Sequence, residues 1–214
     1  MKNTAQKIIK SGGLLGLIAL LGTALLASVN AVTHERIAEQ EKNRVMQQLN
    51  AIVPATSFNN DLLQDMIEVQ DEEAFQHPDP VPVYRARFDG APVAVLMIVT
   101  AADGYNGDIR ILVGIDRQGV IQGARIVSHR ETPGLGDPIE LARSDWILGF
   151  TNTSLERPGP KGWKVKRDGG QFDQFTGATI SPRAVVGAVH NSLVYFNANK
   201  ASLFETAVAS EEAL

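Results

Sequence analysis

The chain contains no cysteine. That excludes a disulfide framework, a zinc–thiolate centre and any iron–sulfur cluster held by this chain's own thiolates. Redox chemistry here would have to use a cofactor that needs no thiolate. Histidine is scarce. His34, His77, His129 and His190 lie far apart and show no HExxH-like spacing, so no histidine metal site is expected. A basic footprint is missing as well. Lys2, Lys7 and Lys10 give residues 1–33 a charge of +3, so residues 34–214 carry −7 for a total of −4. An acidic main body argues against nucleic acid as a partner, because phosphate contacts need lysine and arginine. No GxGxxG turn follows a strand-like run, which leaves no nicotinamide site to read.

Long apolar runs are also lacking, with one exception. "GGLLGLIALLGTALLASVNAV", residues 12–32, holds no charge and only Thr23, Ser28 and Asn30 as mildly polar side chains. A helix rises about 1.5 Å per residue, so this length matches a bilayer core of roughly 30 Å. Lysines precede it, and "HERIAEQEKNR" follows. The positive-inside rule then places residues 1–11 in the cytoplasm and residues 34–214 across the membrane. A cleaved signal peptide ending at Ala31 is the competing reading. The apolar run is longer than a typical signal core, so an uncleaved transmembrane helix is the expectation. Both readings export the main body.

The exported part begins with a stretch rich in Glu, Gln, Lys and Arg that reads as helix. "LLQDMIEV" reads as a second short helix, capped by Asn60 or Asp61, and "QDEEAFQHPDPVP" as a loop. Residues 33–80 are thus expected to be a helical connector. Strand-like runs follow. "VYRARFDGAPVAVLMIVT" turns at Asp89-Gly90, a strong hairpin signal. "IRILVGIDRQGVIQGARIVSH" turns at "DRQG". An antiparallel meander over 83–128 is expected. "PIELARSDWILGF" reads as helix over 138–150, and "TNTSLERPGPKGWKVKRDGGQFD" as a long loop carrying a local positive patch. In "SPRAVVGAVHNSLVYFNANKASLF", Ser181 suits an N-cap and Pro182 the first helical position. Val186, Val189, Leu193 and Phe196 make one apolar face.

The chemistry concentrates just before that last helix. "DQFTGATISP", residues 173–182, places Thr176, Thr179 and Ser181 where unpaired backbone N–H groups and the helix dipole favour an anion. Gly177 and Ala178 permit close approach of a ligand to the backbone. The hydroxyls suit hydrogen bonding to a phosphate, or esterification by one. They equally suit ordinary helix capping.

The motif itself resembles D-x-x-[ST]-G-A-T-x-S of the FMN-binding domain family. In that family a periplasmic flavin transferase takes FMN from FAD and joins its phosphate to the second threonine of the motif. Carried over position by position, the resemblance implies covalent FMN on Thr179. Asp173, Thr176, Gly177, Ala178 and Ser181 become recognition and support positions. Pro182 departs from many relatives, which carry a small hydroxyl residue there.

A second block, residues 104–140, is similar to the central region of the G subunit of the Rnf/Rsx electron transport complex. Its "ETPGLG" segment also occurs in the related C subunit of the sodium-pumping NADH:quinone reductase. The wording "HRETPGLGDPIELARSDWILGF" and the short chain favour the Rnf/Rsx family. The loop of Glu131, Thr132, Gly134, Leu135 and Gly136 has a composition that shapes a turn and can offer N–H groups to a flat polar ring. Tyr105 can pack near such a ring or cover a sheet edge. Glu131 and Asp137 suit acid–base chemistry, or the capping of turns. His129 reads as a structural hydrogen-bonding residue.

Together these readings give an α+β protein. One transmembrane helix (12–32) precedes a connector (33–80) and an FMN-binding domain (81–214) whose antiparallel sheet is flanked by helices, with the attachment motif at 173–181. The resemblance implies an electron-transfer component of an ion-translocating oxidoreductase in the bacterial inner membrane. Its partners would be the other components of the complex and a periplasmic flavin transferase. Two alternatives are the sodium-pumping quinone reductase type and a non-redox membrane scaffold whose TGAT is only a helix cap.

Overall fold

A computed structural model describes residues 12, 13, 15, 16, 19–23 and 45–205. The chain divides into two units, Met1–Gln47 and Gln48–Leu214. In the first, the described residues between 12 and 23 are helical, and the Thr23 hydroxyl donates to the Ala19 carbonyl at 2.9 Å. The cytoplasmic N-terminus, most of the expected membrane span and most of the charged stretch after it lie outside the described residues. Among the described residues no helix is long and apolar enough to cross a membrane.

The second unit is built on one five-stranded antiparallel sheet in the order β1-β2-β3-β4-β5. The strands are β1 (Met66–Val69), β2 (Val81–Phe88), β3 (Ala91–Ala101), β4 (Ile109–Asp116) and β5 (Ile121–Ser128). The expected meander is therefore present, and its turns follow the sequence. Asp89 (φ 49°) and Gly90 (φ 77°) both adopt positive φ, as the tight hairpin turn requires. In the β4–β5 turn, Asp116 Oδ1 accepts from the N–H groups of Gln118 and Val120, and Gly119 takes the left-handed position at φ 87°.

β1 corrects the reading of "LLQDMIEV" as helix. Asp61 does cap locally, receiving the Leu63 N–H at 2.9 Å, but it closes a turn. "MIEV" then pairs with β2, Met66 opposite Tyr84 and Val69 opposite Val81. A four-residue segment with alternating exposure takes its state from the neighbouring strand rather than from local propensity. The expected helical connector is thus helical at 45–50, then a run of turns, then β1, then a four-residue helix, α1 (Glu72–Phe75), capped by Asp71.

Alternation along β2–β4 buries both faces of the sheet. One face carries Val83, Val95, Met97, Ile111 and Val113 against α2 (Ile180–Phe204). Val186, Val189, Leu193 and Phe196 form the inner stripe of α2, each at most 1% exposed. Burial of each contributes about 1.5–3 kcal/mol. On the other face Ile52 lies over Gly114 and Gly123; a Cβ on Gly114 would lie 2.4 Å from the Ile52 side chain, so no side chain fits there. Leu49 and Leu62 are fully buried.

The expected helix over 138–150 is two 3₁₀ turns, Asp137–Ile139 and Asp145–Phe150, separated by an irregular turn. Ser144 caps the second through the Trp146 N–H, and that cap breaks the helix. The long loop after it is irregular but anchored: Trp163, Val165 and Phe172 are buried, and Phe150 stacks on Phe172 with centroids 4.6 Å apart.

Candidate functional site

Three segments meet at one end of the sheet. The β3–β4 connection (102–108) leaves one edge of the pairing. The chain after β5 (129–136) leaves beside it, because Arg110 at the start of β4 pairs with Ser128 at the end of β5. The motif at 173–181 joins them as α2 begins. Together they bound a cavity of about 350 Å³, within the size range of ligand sites. Tyr105, Glu131, Thr132, Leu135 and Gly136 line one side of it. Gly177, Ala178, Thr179, Ile180 and Ser181 line the other.

The motif makes a tight turn before the helix. The Ala178 N–H donates to the Phe175 carbonyl at 3.1 Å, and Gly177 sits at φ 83°. Positive φ at the third turn position is the type II requirement. Thr179 is then already helical in backbone (φ −80°, ψ −22°) and is the N-cap, but its side chain makes no capping hydrogen bond. This corrects the expectation that Ser181 caps and Pro182 opens the helix. The helix starts two residues earlier, and Pro182 falls in the first turn, where its missing N–H costs nothing. Among the described residues no acceptor meets the N–H groups of Ile180 and Ser181. The half-buried Thr179 hydroxyl and these N–H groups are what an anionic phosphate needs at a helix start.

Ser181 is committed elsewhere. Its side chain is buried, and its hydroxyl donates to Glu131 Oε2. It is therefore not free to donate to a phosphate, as the sequence had suggested. Glu131 is itself only 4% exposed. Its other oxygen accepts the Asn106 N–H at 3.0 Å. The backbone packs tightly around this carboxylate: a Cβ on Gly136 would lie 2.7 Å from Glu131 Oε2, and one on Gly104 would lie 3.1 Å from Oε1.

The 131–136 loop closes on itself. The N–H groups of Leu135 and Gly136 both reach the Thr132 carbonyl. Gly134, at φ 78°, donates to Asp137 Oδ1 at 2.6 Å and does not line the cavity. Asp137 thus caps the turn. Asn106 Nδ2 holds Thr132 Oγ1 at 3.1 Å. His129 has the structural role expected of it. Its Nδ1 accepts the Glu131 N–H at 2.9 Å, so in the neutral ring Nε2 carries the proton and donates to Glu140 Oε1 at 2.8 Å.

Two motif residues lie outside the cavity lining. Thr176 is exposed on the turn. Asp173 is exposed, and its carboxylate pairs with Lys166 Nζ at 2.6 Å. One cation of the positive patch expected in the preceding loop, Lys166, is neutralised in this way, while that loop's Asp168 pairs with Arg183 of α2 at 2.7 Å. The hydrogen-bonded Arg183 guanidinium holds the Asp168 carboxyl below its usual range.

Sequence reasoning missed Ile180, 43% exposed at the cavity rim beside Tyr105 (65%) and Leu135 (50%). It also missed the Asn106 backbone as a partner of Glu131, which no local pattern encodes. A further cavity of about 430 Å³ shares Ile180 but holds none of the residues picked from sequence; Phe75, Asp103, Arg183 and Asn191 are among its walls. Among the described residues no cluster of three or more metal-ligating side chains occurs.

Residues 104–194 match the family model of the FMN-binding domain, and residues 1–52 match that of the RnfG N-terminal region. The chain is 50% identical to the G subunit of the ion-translocating oxidoreductase complex of Shewanella loihica, over 92% of this chain and 93% of that protein. It is 45% identical to the protein of the same name from Pseudomonas aeruginosa, over 98% and 96%. A third, from Shewanella piezotolerans, is 43% identical over 96% and 97%. With the cavity contained in the FMN-binding region and the likeness running nearly end to end, the chain belongs to the G-subunit family of ion-translocating oxidoreductase complexes.

Proposed function

We propose that this protein is the membrane-anchored FMN carrier of an ion-translocating oxidoreductase complex, holding its flavin as a phosphodiester on Thr179. The observation that carries the reading is the uncommitted Thr179 hydroxyl, at the start of a helix with two unpartnered N–H groups, on the wall of a cavity inside the FMN-binding region. When bound, FMN supplies the electron-transfer chemistry, and the protein supplies placement and electrostatics. Thr179 would hold the phosphate. The free N–H groups of Ile180 and Ser181 would neutralise it. The 131–136 loop and Tyr105 would border the ring system, and Asp173, Thr176, Gly177 and Ala178 would present the motif to the transferase.

Attachment balances without any redox step. The Thr179 oxygen forms a bond to the flavin-side phosphorus of FAD, the pyrophosphate bond breaks, and AMP leaves. The threonine proton passes to a base on the transferase. A covalent link suits an exported domain, because a cofactor lost there is not easily replaced.

The uncharged span at 12–32 supports a single-pass anchor with residues 1–11 in the cytoplasm and the FMN domain in the periplasm. Partners would be the other components of the complex and the flavin transferase. Intact-mass measurement of the chain produced with the transferase tests the reading: the mass rises by one FMN less one water. An unmodified mass, with the transferase active on another acceptor, contradicts it.

A further inference from the structure

Glu131 lines the cavity across from the motif. Yet it is a carboxylate buried to 4% exposure, with a hydrogen bond at each oxygen from a different segment of the chain. The Asn106 N–H reaches Oε1 from the β3–β4 connection, and the Ser181 hydroxyl reaches Oε2 from the first turn of α2. Its own N–H is fixed by His129. Gly104 and Gly136 let the backbone close around it. Hydrogen bonds to a buried charge are among the stronger ones, and an unmet one is costly.

We propose that Glu131 is a positioning residue of the flavin-attachment site. It ties the start of α2 to the two loops across the cavity, so that the Thr179 hydroxyl stands unpaired on the cavity wall before any flavin arrives. The proposal rests on Thr179 being the attachment residue. Ser181 serves as the arm of this tie. Its hydrogen is taken by Glu131, which leaves Thr179 as the motif hydroxyl that is both uncommitted and on the cavity wall. Glu131 acts through Ser181 and does not touch the reacting phosphorus.

Glu131→Gln is the informative substitution because it keeps size and shape. The Asn106 N–H can only donate, so the glutamine oxygen must stay at the Oε1 position. The amide NH2 then faces Ser181, and the polarity of that hydrogen bond reverses. A residue needed only for packing would tolerate this change.

The test uses the full chain in detergent with purified flavin transferase and FAD, reading covalent flavin fluorescence per unit protein over time as the chain's concentration is varied. For Glu131→Gln the expected result is a fall of about tenfold or more in kcat for flavin attachment. The KM for the chain should stay within about twofold, because the exposed part of the motif is unchanged. Ser181→Ala should show the same split and covers the case in which Glu131→Gln does not fold. The double variant should be no slower than the worse single one, the signature of two residues acting as one unit. Attachment to Glu131→Gln or Ser181→Ala at the wild-type kcat overturns the proposal while leaving Thr179 untouched. Multiplying losses in the double variant also overturn it, since the two residues would then act separately. Wild-type chain that takes no flavin overturns the Thr179 reading itself, and this inference with it.

Discussion

The indole of Trp146 donates to the backbone carbonyl of Asp173 at 2.8 Å. The ring also packs edge-on against Phe150 and Phe175, each with centroids 5.4 Å apart. A residue of the second 3₁₀ turn thus fixes the entry of the 173–181 motif, 27 positions later. Trp146→Phe keeps most of the ring packing and loses the donor. A destabilisation of about 0.5–1.5 kcal/mol is expected, with slower flavin attachment. Thermal unfolding checks the first, and time-resolved flavin incorporation the second. Unchanged attachment would remove Trp146 from the support of the motif.

Two glycines near the cavity answer to different demands. Around Gly177 there is open space, and only its φ of 83° resists a side chain. Gly177→Ala should cost about 1–2 kcal/mol, the strain of a left-handed residue. At Gly136 a new Cβ would lie within 2.8 Å of Ser181 Oγ as well as against Glu131. Gly136→Ala should cost about 1–3 kcal/mol and should slow attachment as Glu131→Gln does. Equal kinetic effects of the two alanines would contradict this distinction.

Asp65 holds two guanidiniums. Arg85 and Arg87 both pair with it, and both also donate to carbonyls at the end of α2, Arg87 to Phe204 and Arg85 to Glu205, which caps the helix. The two arginine side chains are at most 8% exposed. Asp65→Ala leaves them buried without a counter-charge and should destabilise the domain by about 3–5 kcal/mol. Asp173→Asn breaks an ion pair in which both side chains are exposed and should cost at most about 1 kcal/mol. Denaturation midpoints of the two variants check the contrast.

His190 packs on Trp163 with centroids 5.4 Å apart. Burial pushes its pKa below the usual 6.5. The unfolded chain therefore takes up a proton at a higher pH than the folded one. Stability from this residue is fully present above about 6.5 and is lost as pH falls from there through the lowered folded value. His190→Phe should flatten that part of the stability curve. A curve of unchanged slope would show that His190 does not titrate differently on folding.

Much of the fold, and the backbone shape of the candidate motif, was legible because those signals are local. The turn at Asp89-Gly90, the "DRQG" turn and the small residues of TGAT each dictate backbone shape over a short span. The apolar stripe Val186, Val189, Leu193 and Phe196 fixes which side of α2 meets the sheet. What was misread depends on distant partners. "MIEV" became a strand because β2 lay beside it. Residues 138–150 are the local exception: Ser144 caps through the Trp146 N–H, and the segment forms two 3₁₀ turns. Ser181 read as a cap because nothing nearby reveals that Glu131, 50 positions earlier, accepts the hydrogen bond of its hydroxyl. Lys166 looked like free positive charge until its partner Asp173 was in place.

The central claim is that Thr179 carries the flavin. The most direct measurement is an unstained denaturing gel under ultraviolet light, on membrane fractions from cells that also produce the flavin transferase. Wild type, Thr176→Ala and Thr179→Ala run side by side, with equal protein in each lane. A fluorescent band in wild type and Thr176→Ala that is absent from Thr179→Ala is the predicted result. A band that persists in Thr179→Ala, or no band in wild type, would contradict the account.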